Sequence, residues 1–182
     1  MRILLLFISL SLSLFSYSQV NRWQQKANYV MKIDMDVNTN KFSGTQVINY
    51  TNNSPDNLSK VYFNLYLNAF QPNSSMDLRS RELGKNLING RSDWDSRIKD
   101  TISSLSKEEI GYQKIKSLKL NGVPQKYFYH ETILEVKLSK PIASGTTVKI
   151  EVEFDVQVPI QIRRTGRDNA KTNVRYSMSQ WY

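Results

Sequence analysis

From residue 148 to 158 the apolar side chains Val148, Ile150, Val152, Phe154, Val156 and Val158 alternate with polar ones without a break, and Pro159 ends the run. A period of two puts successive side chains on opposite faces of an extended chain, so this stretch specifies a strand with one buried and one wet face. Lys149, Glu151, Glu153 and Asp155 take the wet face. The same period runs through Tyr29, Met31, Ile33, Met35 and Val37, with Lys32, Asp34 and Asp36 between them. Asn38-Thr39-Asn40 makes a turn, and residues 41–51 return with Phe42, Ile48 and Tyr50 on one face. After a polar loop at 52–60, Val61, Phe63, Leu65 and Leu67 share one side and Tyr62, Asn64 and Tyr66 the other.

Further strands are predicted at 113–120, 125–129 and 132–138. Asn121-Gly122 is the strongest hairpin signal, and Pro141 with Gly145 punctuates a second turn. About seven strands at this spacing, with no long helical pattern, predict an all-β fold: an antiparallel sandwich or saddle-shaped sheet with little helix. Between residue 68 and about 106 the alternation fails. Arg79, Arg81, Arg91 and Arg97 mix there with Asp77, Glu82, Asp93 and Asp95, while Phe70, Met76, Leu78, Leu83, Leu87, Ile88, Trp94 and Ile98 are scattered among them. Unstructured loops of that length are uncommon, so one long polar excursion that packs in part is expected. Ser106-Lys107-Glu108-Glu109 has the form of a capping box, which predicts one helical turn there.

Residues 1–18 read as a signal peptide: Arg2 is the positive start, 3–15 is apolar broken by serines, and Ser16-Tyr17-Ser18 fits a small-x-small cleavage site. The mature chain, 19–182, suits one domain. The apolar run is short of the about 20 residues of a membrane span, so no span is expected after cleavage, an uncleaved anchor being the alternative. There is no cysteine. That excludes disulfides, thiolate metal sites, a thiol nucleophile and lipid attachment to an N-terminal Cys, and favours a bacterial envelope or extracellular setting: secreted, periplasmic or cell-surface. The net charge is +9, but basic residues are interleaved with acidic ones, and only Arg163, Arg164 and Arg167 cluster. Without a basic stripe and stacking aromatics, nucleic acid is not an expected partner. Four glycosylation-type sequons, at Asn49, Asn52, Asn57 and Asn73, are read as polar turn residues.

The catalytic inventory is thin. His130 is the single histidine, and although Glu131 follows it, Leu134 stands where an H-E-x-x-H zinc motif has its second histidine. Zinc seldom accepts carboxylates alone. His130 is therefore read as a strand or turn residue, with no catalytic and no metal-binding residue expected in this chain. The glycines form no phosphate-cradling loop. The carboxylate groups Asp34/Asp36, Asp93/Asp95 and Glu151/Glu153/Asp155 fall on wet strand faces or in loops. Tyr62, Tyr66, Tyr127, Tyr129 and Trp181 can stack on sugars or peptides, or simply form cross-strand pairs.

Several segments, in order, resemble the first domain of aminopeptidase N-like zinc metallopeptidases, peptidase family M1. Residues 61–68, Val-Tyr-Phe-Asn-Leu-Tyr-Leu-Asn, resemble that family's Y-F-x-L-x-x-N strand. Residues 138–145, Leu-Ser-Lys-Pro-Ile-Ala-Ser-Gly, and the alternation from Val148 to Phe154 that follows are similar to its L-x-x-P-L-x-x-G hairpin leading to an I-x-I-x-F strand. Asn121-Gly122 matches its N-G turn, and Ser179-Gln180 resembles the T/S-Q pair that closes the domain. The resemblance spans residues 29–182. It implies a β-saddle that packs on a thermolysin-like catalytic domain, the expected partner, whose H-E-x-x-H and downstream Glu bind zinc and hydrolyse peptides at their N-termini. None of those motifs is in this sequence, so the chain alone is expected to be inactive and to carry no cofactor, with zinc in the complete enzyme. Gln180 matches the family residue that lines the pocket for the substrate's N-terminal residue. The chain ends on Trp181 and Tyr182, two residues suited to burial, and is expected to be the front part of something larger. The alternative expectation is a free-standing secreted β-sandwich that binds peptide, glycan or a partner protein.

Overall fold

The computed structural model describes residues 23–85 and 99–179. The leader, residues 86–98 of the excursion with Asp93 and Asp95, and Gln180 with Trp181 and Tyr182 lie outside the described residues.

The elements run β1 (Lys26–Asp36), β2 (Lys41–Thr51), β3 (Leu58–Asn64), a 3-10 turn (Tyr66–Ala69), α1 (Ser75–Lys85), β4 (Tyr112–Leu120), β5 (Val123–Pro124), β6 (Lys126–His130), β7 (Ile133–Ile142), β8 (Thr147–Gln157), β9 (Gly166–Arg167) and β10 (Tyr176–Ser177). They form an antiparallel sheet in the order β1-β2-β8-β4-β5, a second in the order β3-β7-β6, and a short β9-β10 ladder. Phe42 and Ile48 of β2, Ile150, Val152, Phe154 and Val156 of β8, and Leu134, Val136 and Ile142 of β7 bury into one core between the two larger sheets. The fold is the all-β sandwich that the alternation predicts.

In β4 the burial changes parity. The register against β8 slips between Ile115 and Ser117, and one extra residue sends every following side chain to the other face. Gln113 and Ile115 before the slip, and Leu118 and Leu120 after it, therefore all turn toward the core. The Asn121-Gly122 turn has φ of 48° and 82°, the left-handed pair of a type I′ hairpin, as expected.

Four expectations change. The apolar row of β1 is not buried: β1 is the outer strand of the wider sheet, and Tyr29, Ile33 and Val37 stay 48%, 42% and 43% exposed, with only Ala27 and Met35 packing on the core. The excursion contains a helix. Ser74 Oγ accepts the Asp77 N–H at 3.2 Å, and the Asp77 carboxylate accepts the Asn73 N–H at 2.8 Å, which starts α1. The alternation of 61–67 also outlasts its strand: Leu65 and Leu67 are buried, but β3 ends at Asn64 and the 3-10 turn carries Leu67 inward. At Ser106 the capping bond forms, Ser106 N–H to Glu109 Oε2 at 2.9 Å, but it closes a turn rather than a helix.

Polar side chains tie the irregular segments down. Asn52, one of the sequon residues, is fully buried, donates to the carbonyls of Asp56 (2.8 Å) and Ile142 (3.1 Å), and accepts from Ser54 and Gln25. Gln157 donates to the Lys107 and Ile110 carbonyls, each at 2.8 Å. Arg167 holds the segment after β8 by donating to the carbonyls of Val158 and Glu108.

Candidate functional site

Asn68 stands in the 3-10 turn where three segments meet. Its Oδ1 accepts the Gln113 N–H at 2.7 Å, and its Nδ2 donates to the Glu131 carbonyl at 3.1 Å. A carboxamide places a donor and an acceptor on one short stem, so one side chain joins the start of β4 to the β6–β7 turn. Backbone bonds reinforce the junction, Leu65 N–H to Thr132 carbonyl at 2.7 Å and Gly111 N–H to Phe70 carbonyl at 2.9 Å.

Over this junction opens a groove of about 630 Å3, lined in part by Asn68, Asn73, Tyr112, Lys114, Tyr129 and Glu131. Lys114 Nζ lies 4.4 Å from the centre of the Tyr112 ring. Glu131 has φ of 53°, and its Oε2 accepts the Ser75 N–H at 3.2 Å, where the helix N-terminus favours negative charge. The Tyr129 phenol accepts the Ile115 N–H at 2.7 Å, and the Tyr127 phenol donates to the Ile115 carbonyl at 3.2 Å. The two rings meet edge to face with centres 6.0 Å apart. Burial raises the Tyr129 phenol above its ordinary value, with Tyr127 adding to the effect against the bond from Ile115. These two tyrosines thus hold the β6 edge to the β4 edge, while Tyr62 and Tyr66 remain exposed.

The groove offers amides, one ammonium and one carboxylate. It has hydrogen-bonding capacity for a polar chain. Ser74 Oγ is engaged with the Ala69 carbonyl at 2.6 Å and with Asp77. A smaller cavity of about 190 Å3 lies between the sheets, with Tyr29, Gln46, Phe63, Leu118 and Val152 among its walls.

His130 ends β6; its Nε2 lies 3.2 Å from Glu135 Oε2, and Lys60 Nζ lies 2.8 Å from Glu135 Oε1. Lys60 first, then His130 and Lys137, hold the Glu135 carboxyl below its usual range against partial desolvation. Asp155 is paired with Lys116 at 3.0 Å and Glu151 with Lys149 at 3.1 Å on the wet face of the wider sheet. Among the described residues no three His, Cys, Asp or Glu side chains gather as a metal ion needs, so the described residues do not fit a zinc site. Of the predicted pair at the C-terminal end, Ser179 hydrogen-bonds Thr165 Oγ1 through its carbonyl and its hydroxyl; Gln180 lies outside the described residues.

Asn68 as a polar anchor and Ser74-x-x-Asp77 as a helix start are not among the sequence expectations. A signal existed for the second, because Ser followed three residues later by an acid is a capping pattern.

No family model and no curated protein matches the sequence. Among solved structures, the chain is similar to an M1 zinc metallopeptidase from Deinococcus radiodurans, solved as a mutant bound to a Tyr-Ser-Ala substrate. The likeness covers 80% of this chain and 24% of that one, with 11% identity and a TM-score of 0.46. It is similar also to a two-domain M1 zinc metallopeptidase solved as a mutant bound to L-tryptophan, over 90% of this chain and 28% of that one, with 12% identity and a TM-score of 0.48. The likeness is a distant one of fold, and this chain spans about a quarter of the length of those proteins.

Proposed function

We propose that this chain is the N-terminal, non-catalytic domain of a secreted zinc-dependent metallopeptidase of the M1 type, which in complete form hydrolyses peptides at their N-termini. Asn68 carries the reading. It is the last residue of the Y-F-x-L-x-x-N segment, and its amide joins the start of β4 and the β6–β7 turn. The other segments that carry the resemblance also hold defined turns: Asn121-Gly122 makes the type I′ hairpin, and Gly145 has a φ of 71° after Pro141. A positive φ there suits glycine and strains other residues.

On this reading the zinc, the water-activating Glu and most of the specificity pocket belong to the catalytic domain, which is the partner. Gln180 contributes a carbonyl oxygen that accepts a hydrogen bond from the substrate's N-terminal ammonium. The test is to sequence the transcript past codon 182. An in-frame H-E-x-x-H with a downstream Glu supports the proposal, and an immediate stop codon sinks it.

The groove over Asn68 favours a second reading, a secreted binding module for peptide or glycan. Its polar floor and the Tyr112–Lys114 pair suit an extended polar ligand. Titration with a peptide or glycan panel by calorimetry tests it. Saturable binding that Lys114→Ala weakens favours this reading, and no heat from any ligand removes it.

A further inference from the structure

Strand β1 is the outer strand of the five-stranded sheet, 11 residues long, and its partner on one side only is β2. A strand edge of that length presents unpaired backbone donors and acceptors and is a template for another strand. Natural edges are usually blunted by a lysine, and β1 carries Lys32 at its middle. Two residues on, however, is Asp34, on the same wet face. Both are exposed, and across the ladder they face the neutral Thr45 and Ser43 of β2. Neither makes an ion pair among the described residues.

We infer that β1 pairs antiparallel with β1 of a second copy of this chain, about a two-fold axis at Ile33, making one continuous sheet across a symmetric dimer. In that register Lys32 of each copy stands opposite Asp34 of the other, and this happens twice. On the opposite face Ile33 meets Ile33, Met31 meets Met35, and the half-exposed Val37 gains apolar cover. Directly opposed residues of an antiparallel pair share a face and interact most strongly.

The neighbouring registers fail on the same residues. An axis at Lys32 sets Lys32 against Lys32; an axis at Asp34 sets Asp34 against Asp34, and the Lys32–Asp36 pairs it would add engage a carboxylate that already accepts from the Asn38 N–H and the Thr39 hydroxyl. An axis between two residues puts the apolar row opposite the charged one, because the side-chain period is two. The interface is isologous, as a two-fold requires. One strand edge buries less than a standard interface of about 1,600 Å2, so the dimer is weak and concentration-dependent. It holds under either reading of the function.

Sedimentation equilibrium of the purified protein from about 1 µM to 1 mM, a span chosen to bracket weak association, reads the monomer–dimer equilibrium directly. Lys32→Asp and Asp34→Lys should each weaken dimerisation about tenfold or more, the order expected of replacing an attraction by like charges placed twice. The double variant K32D/D34K should restore it to within about threefold of the parent, since the pairing returns with signs exchanged. Thermal unfolding of each variant confirms that the monomer remains folded. A monomer throughout the range, open-ended polymers, or a double variant as weak as the singles overturns the inference.

Discussion

Tyr129 accepts the backbone N–H of Ile115 at 2.7 Å, so an edge strand of one sheet is bonded through a side chain to a strand of the other. A sandwich whose sheets meet only through apolar contacts can slide. Here the phenols of Tyr127 and Tyr129 grip both polar groups of one residue, Ile115, at the very place where the β4 register slips. The short strand β5 pairs only with Lys119 and Leu120, so at Ile115 the phenols take the place of a neighbouring strand.

Tyr129→Phe keeps the ring and removes the oxygen. The Ile115 N–H then loses its partner at a half-exposed site, and a loss of about 1 kcal/mol is expected, near the net value of one hydrogen bond. Tyr66→Phe, at an exposed ring, should stay within about 0.5 kcal/mol. Urea unfolding of both variants, read at constant slope, makes the comparison.

Asn68→Ala removes two bonds at once, the one from the Gln113 N–H and the one to the Glu131 carbonyl. The expected cost is about 1–3 kcal/mol. Asn68→Asp keeps the acceptor for Gln113 but sets an anion against a carbonyl, so it should not rescue the loss. Protection of the Gln113 amide in hydrogen exchange separates the two, since only the Asp variant retains its acceptor.

Gly44 lies on β2 between the Phe154 ring and the Ile33 side chain. A Cβ there would come within 2.6 Å of Phe154 Cζ and 2.7 Å of Ile33 Cδ1. Gly44→Ala should destabilise by about 1–3 kcal/mol through overpacking. Pairing it with Ile33→Ala relieves one of the two clashes, so the double variant should be more stable than the sum of the singles in thermal unfolding.

Glu135 supplies an acid-sensitive term. Lys60 holds its folded carboxyl below the ordinary range, so as pH falls the unfolded chain takes up the proton first. The stability it contributes is complete above the ordinary carboxylate value of about 4.3 and is lost as pH falls through the lower folded value. In Glu135→Gln the acid limb of stability against pH should flatten over that window, measured by urea midpoints at a series of pH values. An unchanged slope would show that the Lys60 pair has no thermodynamic weight.

The central strands were legible because burial on one face and exposure on the other write themselves into the sequence. The boundaries 41–51 hold as predicted, and the observed Thr147–Gln157 differs by one residue from the expected 148–158. β1 has the same pattern, yet its row is half exposed, because periodicity reports which face is apolar and not whether another sheet reaches it. α1 was hidden for the opposite reason. Its fully buried residues are Asp77 and Ser80, Met76 packs on the core only in part, and Leu78 points outward at 49% exposure, so its inward face has no continuous apolar stripe. Asn68 was illegible as an anchor, since its partners are 45 and 63 residues away. His130, expected as a strand or turn residue, is the last residue of β6, beside Glu135.

The pairing of β2 with β8 sets a timetable for making this molecule. Thr51 and Thr147, hydroxyls 2.8 Å apart across those strands, are separated by 96 residues of chain. Closing so long a loop precedes any gain from the contacts that follow, which slows folding. As the polypeptide is synthesised, β1 and β2 can pair early, but they wait as a two-stranded ribbon, a form of marginal stability in water. Until β8 has emerged, the ribbon has open edges on both sides. The interval in which this chain most needs a holding chaperone is therefore the time taken to add the residues between those two threonines.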